Sequence, residues 1–410
     1  MGIGADVITT DVAIAGGGPA GLVAALLFAR AGIDVVVLEK HADFLRDFRG
    51  DTIHPSTQDL LGDLGLLDEF LSRPHDDMAR VRVSWNGTEL ILADFTRLPT
   101  RRKVLSFMPQ WHFLDLIADA CATQPSFRLL RSTRVDGVIR EADRVVGVSA
   151  TGPSGPVRVR AKIVIGADGR DSDVRAAVGL FPRGAAPAMD VLWFRLPKTP
   201  GETCPFIQAG AGMIITIDRD DYFQIAHVIP AGSWTGSADD MTHMCERLAH
   251  ISPRIAAATG GLTAADVFLL RVRLERLRHW AVPGLICIGD AAHAMSPAGG
   301  VGINLAIQDA VAAARILIPI VRKGAPALSE LRRVQRRRSF PTRVTQRVQR
   351  MMQRPLLASR DAGTPLPVPL RMLRRFPALT RLTGRFVGIG VRPESLAGTR
   401  RIRRTGAARR

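Results

Sequence analysis

Three glycines, Gly16, Gly18 and Gly21, with Glu39 lying 23 residues after the first, have the types and spacing that bind a dinucleotide. The chemistry is electrostatic: the first amides of a helix have no intrahelical partner and carry partial positive charge, which suits a diphosphate. Gly16 permits a tight turn and Gly18 lets the diphosphate approach the backbone. Pro19 and Ala20 start the helix, and Gly21 lets it lie close on a sheet. An acid at Glu39, with Lys40 beside it, accepts hydrogen bonds from ribose hydroxyls and disfavours a 2′-phosphate. The same three glycines alone also describe an ordinary tight junction, so the flanking elements must separate the two readings.

A second set lies far along the chain. Ile163-Val164-Ile165-Gly166-Ala167 leads to Asp168-Gly169, and Gly284 to Ile288 leads to Gly289-Asp290, each an apolar strand ending on a glycine and an acid. Asp290 is suited to accept bonds from a polyol chain. The turn Pro297 to Gly302 then feeds a long apolar helix carrying Gly300, Val301, Gly302 and Asn304, and free amides at such a start stabilise negative charge on an electron-rich ring. Two polar residues precede helices: Arg49, either a phosphate or ring partner or a surface arginine, and Gln110, either a ligand donor or a solvated helix start. His293 reads as a structural residue rather than a general base, because no carboxylate partner is evident beside it. No Ser/His/Asp, paired-acid or metal-ligand constellation competes. Cys121, Cys204, Cys245 and Cys287 are scattered, as reduced thiols of a cytoplasmic protein would be.

These residues need a scaffold of alternating strand and helix. Val12 to Ala15 reads as a buried strand, Pro19 to Ala31 as a helix, and Ile33 to Leu38 as a second parallel strand. Ala79 to Ser84 and Glu89 to Phe95 form a hairpin about Asn86-Gly87. Phe113 to Cys121 is a helix, and Leu129 to Val135, Arg144 to Ala150 and Val157 to Ala161 are a small antiparallel excursion. From 181 to 280 extended runs predict an antiparallel sheet, with a helical stretch from Ala238 to Thr259. Trp193, Phe206, Met213 and Phe223 either line an apolar substrate cavity or form that sheet's own core.

Composition narrows the class. With 410 residues, 46% hydrophobic and 23% charged, the chain is globular and large enough for two or three domains. No basic leader opens it, and Val301 to Val321 is interrupted by Asn304, Gln308, Asp309 and Arg315, as a buried helix rather than a membrane span. The net charge of +18 is local. From Leu331 to Arg410 there are 22 arginines, no lysine and two acids, so that stretch carries +20 and the rest is nearly neutral. Its apolar spacing (Leu366, Leu370, Leu373, Phe376) predicts amphipathic helices. A solvated helical cap, an anionic-membrane surface and a nucleic-acid arm rank in that order. Sparse aromatics argue against stacking on nucleic acid, so no nucleic-acid partner is expected.

Taken in order, Gly16-x-Gly18-x-x-Gly21 with Glu39, Asp168-Gly169, and Gly289-Asp290 with Pro297 resemble the three fingerprints of the class A flavoprotein monooxygenases, the para-hydroxybenzoate hydroxylase fold, over roughly residues 10 to 320. The resemblance implies FAD, with Gly16, Gly18, Gly21 and Glu39 at its ADP half and Asp290 at the ribityl or pyrophosphate region. By position Arg49 and Gln110 are similar to the family's flavin-contacting arginine and glutamine, and Asp168-Gly169 to its motif for FAD and NAD(P)H. It implies NADH or NADPH as reductant, O2 as co-substrate, and hydroxylation of an aromatic or polycyclic small molecule through a C4a-hydroperoxide, with Pro297 shaping the oxygen site. The WxWxIP segment of related halogenases is not found. The alternative on the same scaffold is an FAD-dependent dehydrogenase or reductase acting on a membrane lipid. The fold expected is α/β: a discontinuous Rossmann-like FAD-binding domain (1–75, 100–180 and 281–330), an antiparallel substrate domain (76–99 and 181–280) and a basic helical segment (331–410), the last offering peripheral membrane contact.

Overall fold

The computed structural model describes residues 6–45, 51–184, 188–219, 221–358 and 365–396. Arg49 lies outside the described residues.

The apolar run after Asp6 forms the strand Asp6–Ala15 at the centre of an eight-stranded sheet. Val35–Leu38 and Gly155–Gly166 flank it in parallel, followed outward by Phe127–Leu130 on one side and Leu285–Cys287 on the other. The helices Pro19–Arg30, Gln110–Ala122 and Val301–Val321 pack side by side on this sheet, and their apolar faces join the strands in one large core.

Two sequence expectations are corrected here. Val157 to Ala161 and Ile163 to Ile165 are not separate strands but one, Gly155–Gly166, which pairs antiparallel with Arg144–Gly152 and parallel with Asp6–Ala15. The continuity follows from having partners on both edges, so the charged residues between the apolar ones do not break it. Leu129 to Val135 is instead two strands, Phe127–Leu130 and Arg134–Glu141. The chain turns between them because Glu39 N donates to Leu130 O and Thr133 N to Glu39 O, with Ser132 left-handed at φ 49°.

The second sheet has seven strands, in the order Phe268–Leu270, Met189–Pro197, Tyr222–Pro230, Met213–Asp218, Ile207–Ala209, Arg80–Trp85, Thr88–Asp94. Its hairpin turn has Asn86 at φ 44° and Gly87 at φ 81°, both positive as a twisted two-residue turn demands. Period-two alternation gives the sheet two apolar faces. Leu192, Phe194, Phe223 and Ile225 pack on the helix Ala238–Ile251, whereas Met189, Val191, Trp193 and Ala226 face the other way.

The arginine-rich stretch forms the helices Leu328–Ala358, Val368–Arg375 and Leu379–Gly388. Leu379–Gly388 lies on the edge strand Thr88–Asp94. There is no room for a side chain where they meet: a β-carbon on Gly384 would fall 2.2 Å from Asp94 O. The helix Ala298–Val321 is long and apolar enough to cross a membrane, but 78% of its most apolar window is buried inside the fold.

Candidate active site

At the carboxyl end of Asp6–Ala15 the chain turns through Gly16 at φ +99°, where a β-carbon would fall 2.5 Å from Ala167 O. Gly21 is under equal constraint, its missing β-carbon 1.9 Å from Gly16 O, so its contribution is close packing beneath the turn. Gly18 differs: nothing lies within 4 Å of the position a β-carbon would take, and the space beside it is cavity. The amides that open Pro19–Arg30 have no side-chain cap and are left for a ligand. Glu39 is 6% exposed and is aimed before any ribose arrives, Oε2 accepting from Gly17 N (2.8 Å) and Oε1 from His41 N (3.0 Å).

A cavity of about 1790 Å³ extends from this cradle to the seven-stranded sheet. Its wall includes Gly16, Gly18, Pro19, Ala20, Glu39 and Lys40 at one end, then Gln110, Asp168, Gly169 and Asp290, then Pro297, Gly300, Val301 and Gly302. The tertiary fold thus gathers side chains and turns drawn from almost the whole chain. Asp168 is half-buried, and although its Oδ2 accepts from Val174 N (3.1 Å), its Oδ1 is buried without a hydrogen-bond partner. Burial raises its proton affinity, opposed by bonds from Ser172 and Val174. An orphaned buried acceptor beside an open glycine cradle fits a polyhydroxylated dinucleotide such as FAD. Asp290 is held by Arg170 Nε at 3.0 Å, with its carboxylate still half open to the cavity.

The turn after Pro297 is built by two left-handed glycines, Gly299 (φ 78°) and Gly300 (φ 61°). A β-carbon on Gly300 would fall 2.1 Å from Thr52 Oγ1, and its carbonyl accepts from Thr52 Oγ1 (3.1 Å). Buried His54 bridges that carbonyl (Nε2, 2.9 Å) to Val387 O (Nδ1, 2.7 Å), linking the turn to the last helix. Val301–Val321 then presents Val301 and Gly302 to the cavity at its uncapped start. Asn304 does not line the cavity. Its Oδ1 is occupied by Thr57 Oγ1 (2.6 Å) and Ser56 Oγ (3.1 Å), because one helical turn in from the start its side chain points at the neighbouring helix Pro55–Leu64.

The far end of the cavity is apolar. Trp193, Phe206 and Met213 line it, but Phe223 does not, since its register turns it to the opposite face of the sheet. Leu370, Leu373 and Phe386 of the C-terminal helices close the same chamber. Between chamber and cradle sits Asp51, whose Oδ2 accepts from Arg219 Nη2 (2.8 Å) and Gln224 Nε2 (3.1 Å). Burial raises the Asp51 carboxyl above its usual range, with Arg219, Gln224 and the Gln110 amide opposing.

Several site residues escaped the sequence reading. His293 does have a carboxylate partner: its Nε2 lies 2.6 Å from Asp309 Oδ2, which also accepts from Gly289 N (3.1 Å), while Oδ1 accepts from Arg338 Nε (2.9 Å). All three side chains are buried. Burial alone would raise Asp309, but His293 and Arg338 hold it below the usual carboxylate range. The available signal was a lone acid on an apolar helix. Arg338 and Gln349 were hidden among exposed arginines, and only a periodicity of buried polar positions along that helix marks them.

The family described as FAD binding domain matches residues 9–348. Over 380 residues the chain is 35% identical to a 6-methylpretetramide 4-monooxygenase of Streptomyces rimosus, spanning 91% of each. A 12-dehydrotetracycline 5-monooxygenase/anhydrotetracycline 6-monooxygenase of the same species is 29% identical, over 73% of this chain and 61% of that relative, whose length this chain therefore spans by about three fifths. Among solved structures, an anhydrotetracycline hydroxylase from Streptomyces rimosus matches with a TM-score of 0.76 at 24% identity, covering 93% of this chain and 76% of that one. A p-nitrophenol 4-monooxygenase from Pseudomonas putida matches with 0.73 at 21%, covering 93% and 95%. At these identities the structural likeness is one of fold.

Proposed function

The chain belongs to the FAD-binding-domain family of flavoprotein monooxygenases, and on that premise we propose that it uses NADH or NADPH and O2 to hydroxylate a polycyclic aromatic substrate of the tetracyclic polyketide kind. The observation that carries this reading is the continuity of the cavity, which joins a diphosphate cradle to an apolar chamber large enough for a second, flat ligand. When bound, FAD supplies the electron transfer and oxygen activation that side chains cannot.

The protein's own residues bind, orient and exclude water. The amides after Gly16 and Gly18 hold the diphosphate, Glu39 with Lys40 beside it takes the adenosine ribose, and Asp168 and Asp290 take hydroxyls further along. Gln110 would meet the ring, and the free amides of Val301 and Gly302 at a helix start would stabilise negative charge on it. Pro297 shapes the oxygen side. The seven-stranded sheet serves as the substrate lobe, and its apolar wall with the C-terminal helices keeps water from the reacting oxygen.

The test is turnover of the holoprotein with NADH or NADPH, isotopically labelled O2 and 6-methylpretetramide as probe. A product carrying one labelled oxygen is the expected result. Oxygen-independent reduction of a substrate double bond would move the assignment to a dehydrogenase or reductase on the same scaffold.

A second reading concerns the outer surface. Val368 and Met372 on the helix Val368–Arg375, and Phe376 just after it, are exposed beside the exposed Arg371, Arg374 and Arg375. That mixture suits peripheral contact with an anionic membrane. Sedimentation with phosphatidylglycerol vesicles at physiological salt tests it, and protein left wholly in the supernatant removes the reading.

A further inference from the structure

The arginine-rich helix Leu328–Ala358 has an unusual inward face. A surface helix ordinarily turns apolar residues to the core. This one buries Leu331 and Val334 near its start and then Arg338, Thr342, Thr345, Gln346 and Gln349. Gln346 and Gln349 are three residues apart and therefore share a face. Both spend their amides on one short segment of chain. Gln346 Nε2 donates to Ala294 O (3.1 Å) and also to Glu275 O (2.9 Å). Gln349 Nε2 donates to Ser296 O (2.8 Å) and Ala298 O (2.9 Å), and its Oε1 accepts from Ser296 N (3.2 Å).

The alternate carbonyls of Ala294, Ser296 and Ala298 are thus all satisfied by two side chains. Those carbonyls lead directly into the turn Ala298–Gly300 and the free amides of Val301 and Gly302. In a sheet the neighbouring strand would provide such bonds. Here only Ala294 belongs to a strand, and the glutamines substitute for the missing neighbour. An uncharged amide is suited to this: it donates twice and accepts once, fixing three backbone groups without placing a charge in the wall of the cavity.

We propose that Gln349, assisted by Gln346, is the positioning residue that sets the Pro297–Gly302 turn against the flavin ring, which makes the arginine-rich helix a structural part of the active site. The inference rests on the reading that this turn faces the ring. Without the amide, Ser296 N and Ser296 O are left buried and unsatisfied, part-buried Ala298 O loses its side-chain donor, and the turn shifts to find partners.

Gln349→Met keeps the length of the side chain and removes its polar atoms. Gln349→Glu keeps an acceptor for Ser296 N but sets a carboxylate oxygen against two carbonyls. Two readouts on the holoprotein are FAD release on dilution, followed by flavin fluorescence, and amide hydrogen exchange across residues 295–302. Both variants are expected to bind FAD roughly tenfold more weakly and to lose about tenfold protection in this turn, with the strand Val12 to Ala15 unchanged. Wild-type affinity and exchange in both would overturn the proposal, as would a uniform loss of protection reaching Val12 to Ala15. Should Gln349→Met be insoluble, Gln349→Asn, one methylene shorter, carries the same comparison. FAD retained by Gly18→Asp would indict the site itself; FAD lost there, with the Gln349 variants unchanged, indicts this inference alone.

Discussion

At Gly18 an aspartate would be accepted sterically and rejected electrostatically, because its β-carbon meets open space while its carboxylate meets a diphosphate. Gly18→Asp is therefore expected to fold and to purify without FAD. Flavin absorbance per protein after desalting decides it, and an unchanged ratio removes the placement. Arg219→Met should cost about 3–5 kcal/mol in urea unfolding, since it leaves buried Asp51 without its cation. Burial already raises the Asp51 carboxyl, and a raised acid stabilises the fold below its unfolded value and loses that contribution as pH rises. The variant should accordingly recover stability as pH falls. His227 works in the opposite direction. Burial, with Arg247 nearby, pushes it down to about 3 from 6.5. Below 6.5 the unfolded chain binds a proton that the folded chain refuses, so stability falls as pH drops toward that value, by about 1.4 kcal/mol per pH unit. His227→Gln should flatten the acid limb of the urea-midpoint profile, and an unaltered slope would count against a neutral His227.

Single elements divide into those legible from local pattern and those decided by partners. The glycine turn with its helix, the Asn86-Gly87 hairpin and the helix from Val301 each have their own periodicity or turn chemistry. The strand Gly155–Gly166 does not, because its extended form depends on neighbours at both edges. The C-terminal helices are a further case. Their apolar spacing was visible, but not the anchor at Glu394, a buried acid accepting from Arg315 (2.8 Å) and Arg337 (2.5 Å). Those guanidinia are partly exposed, so Glu394→Gln is expected to cost about 2 kcal/mol rather than the full value of a wholly buried pair. Thermal unfolding with flavin release as the signal measures it, and a loss within error would show the anchor to be dispensable.

For the molecule as a whole, the basic segment cannot be treated as an appendage. Arg338 reaches Asp309 on the buried helix Val301–Val321, and Leu370, Leu373 and Phe386 wall the chamber. The buried contacts tie it to the body: a chain truncated before 331 should be insoluble or devoid of FAD, and a soluble truncation retaining FAD would refute this. What the sequence by itself determined is the local part: the dinucleotide turn, the ordered glycine–acid strand ends, and an α/β body joined to an antiparallel sheet. These follow from backbone sterics and hydrophobic period, which act over a few residues. Only the tertiary structure decided which of Trp193 and Phe223 faces the cavity, that His293 has Asp309, that Asn304 is spent on Ser56 and Thr57, and that glutamines on an arginine-rich helix hold the Pro297 turn. Each of these depends on pairing, register or burial between residues distant in the chain, and no local pattern contains them.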